Sequence, residues 1–209
     1  MVTMKGALLF LKLDGMRALV IGSGAVARRK IFKLMNAGVE VTVVSKEKPE
    51  FLEGKAKVVV GDGLAYSSSN IDRFDIIVAA TGNKVLNAEV AMLARAKGKL
   101  VNVVTDPSSC TFFFPAVVDY GDIQIGITTF GDAPLVSKLI KKRIEKAVSC
   151  EDLKRLKFDL RVRKLLKDNG FTSSYIKMIV KDLDSNSPNL SNEEIISKAK
   201  EIVRKNSDR

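Results

Sequence analysis

A chain of 209 residues, 46% hydrophobic and 6% aromatic, can bury a substantial core and fits one medium domain plus a smaller appendage. It contains no histidine, which excludes His-liganded zinc, haem on a proximal His and every Ser-His or Cys-His catalytic pair. A formal charge of +11 points to a polyanionic partner, whether nucleic acid, a membrane surface or an acidic small substrate.

The opening MVTMKGALLFLKLDGMRALVIGSG is interrupted by Lys12, Asp14 and Arg17. It reads as folded chain rather than a secretory signal, so the expected location is cytoplasmic. No run approaches the roughly 18 apolar residues of a spanning helix, and no membrane partner is expected. After an apolar segment at 8–13 and a turn at Asp14-Gly15, residues 17–21 read as a strand. Residues 22–27 then turn sharply into a helix that reaches about Asn36 and stops at Gly38. The β-branched stretch 39–45 is the second strand and 55–60 the third. Residues 67–70 read as a polar connector. The continuous apolar run 74–80 has the pattern of a parallel strand covered on both faces. A helix over 85–96, a stop at Gly98 and a fifth strand at 100–104 follow, all at βαβ spacing.

Beyond Pro107 the rhythm changes. Residues 112–118 and 123–129 read as a hairpin joined across Asp119-Tyr120-Gly121-Asp122. Helices are expected over 135–148, 151–167, 173–181 and 192–205, the last opened by a Ser191/Glu194 capping box, with DLDSNSPN as a polar linker before it. The charge excess lies here: residues 138–209 hold 19 Lys/Arg against 11 Asp/Glu, whereas 1–137 hold 16 against 13. Alternation with apolar residues suits solvated helix faces. No zinc-finger spacing, RRM-type aromatic signature or recognition-helix pattern accompanies it, so nucleic acid is not the expected partner. The two cysteines, Cys110 and Cys150, make no disulfide scaffold, and Cys110 reads as a small buried residue rather than a nucleophile.

The strand-to-helix turn ALVIGSGAVARRK carries the chemistry. Gly22 permits the tight turn, Gly24 lets a pyrophosphate approach the backbone, and Ala27 keeps helix and sheet close. The free amides of the first turn, at Ala25 and Val26, face the phosphates with the positive end of the helix dipole. The ribose-binding acid usual about 20 residues on is replaced by Ser45, which can bond a ribose hydroxyl, while Lys46 or Lys48 could tolerate a 2′-phosphate. Ala80, Thr81 and Asn83, at the end of the fourth strand, lie where an open parallel sheet places its ligand. Thr81 and Asn83 serve equally well as helix caps. The residues thus predict a dinucleotide and leave NAD and NADP open.

These stretches resemble the precorrin-2 dehydrogenase/sirohydrochlorin ferrochelatase family, the NAD-dependent part of sirohaem synthase. FLKLDGMRALVIGSGAVARRK looks like its first strand and glycine turn and FDIIVAATGN like its fourth strand. LVNVVTDPSSCTFFFPAVV looks like its active-site strand and loop, and ITTFGDAPLVSKLIKKRIE like the entry to its dimerisation region. The resemblance implies an α/β fold with a Rossmann-like parallel sheet. It divides the chain into an NAD-binding domain at 1–111, a hairpin and helix dimerisation region at 112–149, and a helical C-terminal domain at 150–209. It implies a homodimer that oxidises precorrin-2 to sirohydrochlorin, with ferrous iron as a further substrate in some members and no metal held by the protein itself. The basic surface suits a substrate ringed with carboxylates. Asp106 is then the candidate catalytic carboxylate. Thr105 stands where some members place that Asp, which favours dehydrogenation over iron insertion. Substrate contacts are expected from Asn102, Thr105, Phe113, Gly131 and Pro134; of Phe112, Phe113 and Phe114, at least one belongs to the core. A non-catalytic NAD-sensing module, or a basic nucleic-acid-binding protein, is the alternative class.

Overall fold

A computed structural model describes residues 6–131, 133–183 and 190–207. The chain divides into two compact units, Met1–Ala116 with Gly126–Lys138, and Val117–Ile125 with Leu139–Arg209.

The first unit is built on five parallel strands: β1 (Arg17–Ile21), β2 (Glu40–Ser45), β3 (Lys57–Val60), β4 (Ile76–Ala79) and β5 (Leu100–Val103), in the order β3-β2-β1-β4-β5. Helices α1 (Ala25–Asn36), α2 (Gly63–Asn70) and α3 (Lys84–Ala96) make the crossovers. Strand residues alternate between two cores. Ala18 and Val20 point to the face that α1 covers with Ala27, Ile31 and Leu34. Leu19 and Ile21 point to the other, filled by Val90, Ala91 and Ala94 of α3. Both faces are therefore dry, which is why these strands read as apolar runs rather than alternating ones. The strand order reverses between β1 and β4, each hydrogen-bonded in parallel register, Ile21 opposite Ala79.

Residues 67–70 depart from the expected connector, because they form the last turn of α2. Asp62 caps that helix by accepting from the Ala65 amide at 2.7 Å, and the polar side chains bond back to its carbonyls, Ser67 Oγ to Gly63 at 2.6 Å and Asn70 Nδ2 to Tyr66 at 3.0 Å. The hairpin strands are shorter than expected, β6 (Ala116–Asp119) and β7 (Gln124–Ile127). Pro115 has no amide to donate, so pairing begins after it.

In the second unit α5 (Cys150–Asp168), α6 (Ser173–Asp182) and α7 (Asn192–Ser207) share a core of Phe158, Val162, Leu166, Ile176, Ile179, Leu183, Ile195 and Ala199. Both halves of the Ser191/Glu194 capping box are present, the Ser191 amide donating to Glu194 at 2.7 Å and the Glu194 amide to Ser191 Oγ at 3.2 Å. α4 (Pro134–Ala147) follows the hairpin. Asp132 and most of the DLDSNSPN linker lie outside the described residues. Among the described residues no helix is long and apolar enough to cross a membrane.

Candidate active site

Gly22 occupies the switch point of the sheet. Its φ is +108°, and a Cβ there would stand 2.5 Å from the Ala80 carbonyl oxygen, so only glycine allows the ends of β1 and β4 to approach this closely. Its amide donates to the Val44 carbonyl at 2.8 Å and that of Ala80 to Ile21 at 2.9 Å, which fastens three strand ends together. Gly24 differs in kind. Its φ of −67° is ordinary, and a Cβ there would meet nothing within 4 Å. The position faces open space. α1 starts at this turn with no capping side chain and no acid in its first turn, so the amides of Ala25 and Val26 are served by no side chain of α1. α2 and α3, by contrast, are capped by Asp62 and Asn83.

A cleft of about 990 Å³ opens over this turn, lined on one side by Ser45, Lys46, Gly61 and Asp62 and on the other by Ala80, Thr81, Asn83 and Glu89. Of the residues expected at a cofactor, Gly22, Gly24, Ser45, Ala80, Thr81 and Asn83 line it. Ala27 is fully buried on the sheet-facing side of α1, where it lets the helix lie close to the sheet, and Val26 is exposed on the first turn. Asn83 is a helix cap, its Oδ1 accepting from the amides of Val85 and Leu86. The Ser45 hydroxyl is not a free donor, since it bonds the Glu47 carbonyl at 2.6 Å. Of the two lysines considered for a 2′-phosphate, Lys46 lines the cleft, whereas Lys48 pairs with Glu53 at 3.7 Å.

A buried amide ties the cleft to the following strand. Asn87 Oδ1 accepts from the Thr81 hydroxyl at 2.7 Å and the Thr81 amide at 3.1 Å. Its Nδ2 donates to the Thr81 carbonyl at 3.0 Å and to Thr105 Oγ1 at 3.2 Å. Reading the sequence missed Asn87. Its signal is a polar residue on the sheet-facing side of a helix otherwise lined by Val90, Ala91 and Ala94. Asp62 was missed too, although Asp-Gly after a strand is a cap signal.

Asp106 begins the turn after β5 and does not line the cleft. Ser109 Oγ donates to its Oδ2, and the hydroxyl and amide of Ser108 donate to Oδ1 at 2.7 and 2.9 Å. These bonds, that from Ser109 first, hold the carboxyl below its usual range. The next residues come together with two others expected at the substrate: a Cβ on Gly131 would lie 3.1 Å from the Phe113 ring and 3.6 Å from Pro107. Phe112 and Phe114 pack on the α1 side of the core, so Phe113 is the one of the three beside Gly131. Pro134 is exposed at the start of α4. Asn102 is 4% exposed; its Nδ2 donates to the Phe112 carbonyl at 2.9 Å and so fastens the loop, while its buried Oδ1 accepts no hydrogen bond among the described residues.

Two further groups sit nearby. The half-buried Cys110 accepts from the Val103 amide at 3.1 Å, and burial pushes its thiol up, away from the thiolate a nucleophile needs. Lys30 of α1, one residue before the buried Ile31, places its ammonium 4.5 Å from the centre of the Phe114 ring. Burial lowers its pKa from 10.5 to about 8.

Residues 9–116 match the NAD(P)-binding family NAD_binding_7. The siroheme synthase of Pseudomonas entomophila is 40% identical over 139 residues, 66% of this chain and 30% of that protein. The siroheme synthase of Methylococcus capsulatus is 34% identical over 163 residues, 74% of this chain and 34% of that protein. The chain thus spans about a third of the length of these relatives. A solved structure titled SirC, precorrin-2 dehydrogenase, superposes with a TM-score of 0.73 at 21% identity, covering 95% of this chain and all of that one, and shares its fold. The chain belongs to the siroheme synthase family, through the NAD(P)-binding domain matched at residues 9–116.

Proposed function

We propose that this protein oxidises precorrin-2 to sirohydrochlorin with NAD as acceptor. The observation that carries the reading is the uncapped glycine turn at the switch point, open at Gly24, in a chain of the siroheme synthase family. The donor set fits a dinucleotide. Over the turn that Gly22 permits, Gly24 leaves room for the pyrophosphate and the amides of Ala25 and Val26 would hold it, with Ser45 on the ribose side and Ala80, Thr81 and Asn83 on the other. Bound there, NAD supplies the hydride acceptor. The protein contributes position and charge. Asp106, its carboxylate oriented by Ser108 and Ser109, is the group that accepts the proton the macrocycle loses, with Phe113, Gly131 and Pro134 beside the ring and Thr105 anchored by Asn87.

Ferrous iron is a poor second substrate in this reading, because Thr105 is a neutral, tethered residue at the position where some relatives place the acid. The fold pairs as a homodimer through α4, whose Leu135, Val136, Leu139 and Ile140 are exposed on one helical stripe.

An anaerobic assay with precorrin-2 and NAD, followed by ferrous iron, tests the reading. Wild type forms NADH, Asp106→Asn loses about 10²-fold of that rate, and iron insertion stays near the uncatalysed background. Absence of NADH formation by wild type rejects the proposal.

A further inference from the structure

We infer that Asp62, at the end of β3, reads the adenosine ribose and selects NAD over NADP. The inference rests on the reading of the cleft as a dinucleotide site.

In a doubly wound sheet the acid that grips the ribose stands at the end of the second strand. Here that place belongs to Ser45, which is 6% exposed and has given its hydroxyl hydrogen to Glu47. The neighbouring strand offers a substitute at the same edge. Ser45 is registered with Val60, and the Gly61 amide donates to the Ser45 carbonyl at 3.0 Å. Asp62 is therefore the first side chain with a charge beyond this pair on β3. Both Ser45 and Asp62 line the cleft.

Two local features hold Asp62 there. Gly63 is buried, and a Cβ on it would fall 2.3 Å from Ile21 Cγ2, so the start of α2 is packed against the last residue of β1, directly before Gly22. The cap bond from the Ala65 amide to Oδ1 fixes the carboxylate rotamer, while Oδ2 accepts no hydrogen bond among the described residues. A carboxylate oxygen is an acceptor only, complementary to a ribose hydroxyl and repelled by a 2′-phosphate. Asp62 also offsets the positive end of α2, removing a second attraction for phosphate. Lys46 lines the same end of the cleft with the opposite charge. It is a cation on a flexible stem, which loses rotamer freedom when it engages, whereas Asp62 is already ordered by its cap.

Calorimetry with NAD and NADP on wild type, Asp62→Asn and Asp62→Ser tests the assignment. Both replacements can keep the helix cap, so the fold is preserved while the charge is lost. Wild type binds NAD at least about tenfold more tightly than NADP, and both variants bring the two affinities to within about threefold. A ratio unchanged in both variants, or wild type preferring NADP, overturns the role of Asp62 and leaves the dinucleotide site standing. Wild type that binds neither nucleotide overturns the site itself, and this inference with it.

Discussion

Gly22 and Ala80 stand so close that a methyl group on Gly22 would reach within 2.5 Å of the Ala80 carbonyl oxygen. Gly22 serves the fold, whereas Gly24, with nothing within 4 Å of a Cβ, keeps space clear for a ligand. Gly22→Ala should cost at least about 2 kcal/mol in urea unfolding, from the positive φ and the backbone clash together. Gly24→Val should change stability by about 1 kcal/mol or less, yet weaken NAD binding at least about tenfold in calorimetry. Unchanged NAD binding in Gly24→Val would remove the pyrophosphate from this turn.

Asn87 is fully buried and serves Thr81 and Thr105 through both ends of its amide. Asn87→Ala leaves the Thr81 amide without its acceptor, while the Thr81 hydroxyl keeps the Asn83 carbonyl at 3.1 Å, and should destabilise by about 2 kcal/mol. Thr105→Val removes a single bond and should cost about 1 kcal/mol. Equal losses in the two unfolding curves would show that the amide does not act as the hub.

Asp106 makes a pH prediction with a definite sign. Its folded pKa is depressed below the ordinary 3.8, by Ser109 first and then Ser108. The stabilisation is therefore present above 3.8 and is lost as pH falls through the lower folded value. A carbon-detected NMR titration of the carboxyl should show a midpoint below 3.8 that moves upward in Ser109→Ala. A midpoint indifferent to Ser109 would contradict the geometry.

Lys30 runs the other way. With a folded pKa of about 8 against an ordinary 10.5, the folded chain binds fewer protons than the unfolded chain between those values. Stability should rise with pH across that window, and the buried charge is penalised below it. Lys30→Met should abolish the rise. Near neutral pH it should stabilise by about 1 kcal/mol, after allowance for partial exposure and the lost contact with Phe114. Urea curves at neutral pH and near pH 10 decide this, and a destabilised Lys30→Met at neutral pH would count against it.

The sheet, its two-sided burial and the glycine turn are legible in the amino-acid order, because they rest on local pattern: β-branched runs for dry strands, and Gly22 and Gly24 at fixed spacing before an amphipathic helix. So is the cap of α7, since Ser191 and Glu194 are three residues apart and meet on one turn. Which polar side chains near the cleft are free and which are engaged depends on packing across the fold. Asn102 and Ser45 look like ligand contacts in the sequence, yet each gives its donor to a backbone carbonyl, to Phe112 across 10 residues and to Glu47 two residues away. Asp62 and Asn87 look unremarked in the sequence. Asp62 reaches the site because parallel pairing brings the end of β3 to the edge that β1 and β4 already occupy, and Asn87, on α3 just after β4, meets Thr105 because β5 pairs beside β4. Hydrogen-bond partners 18 residues apart, as Asn87 and Thr105 are, follow from how strands stack in space, which no local spacing encodes.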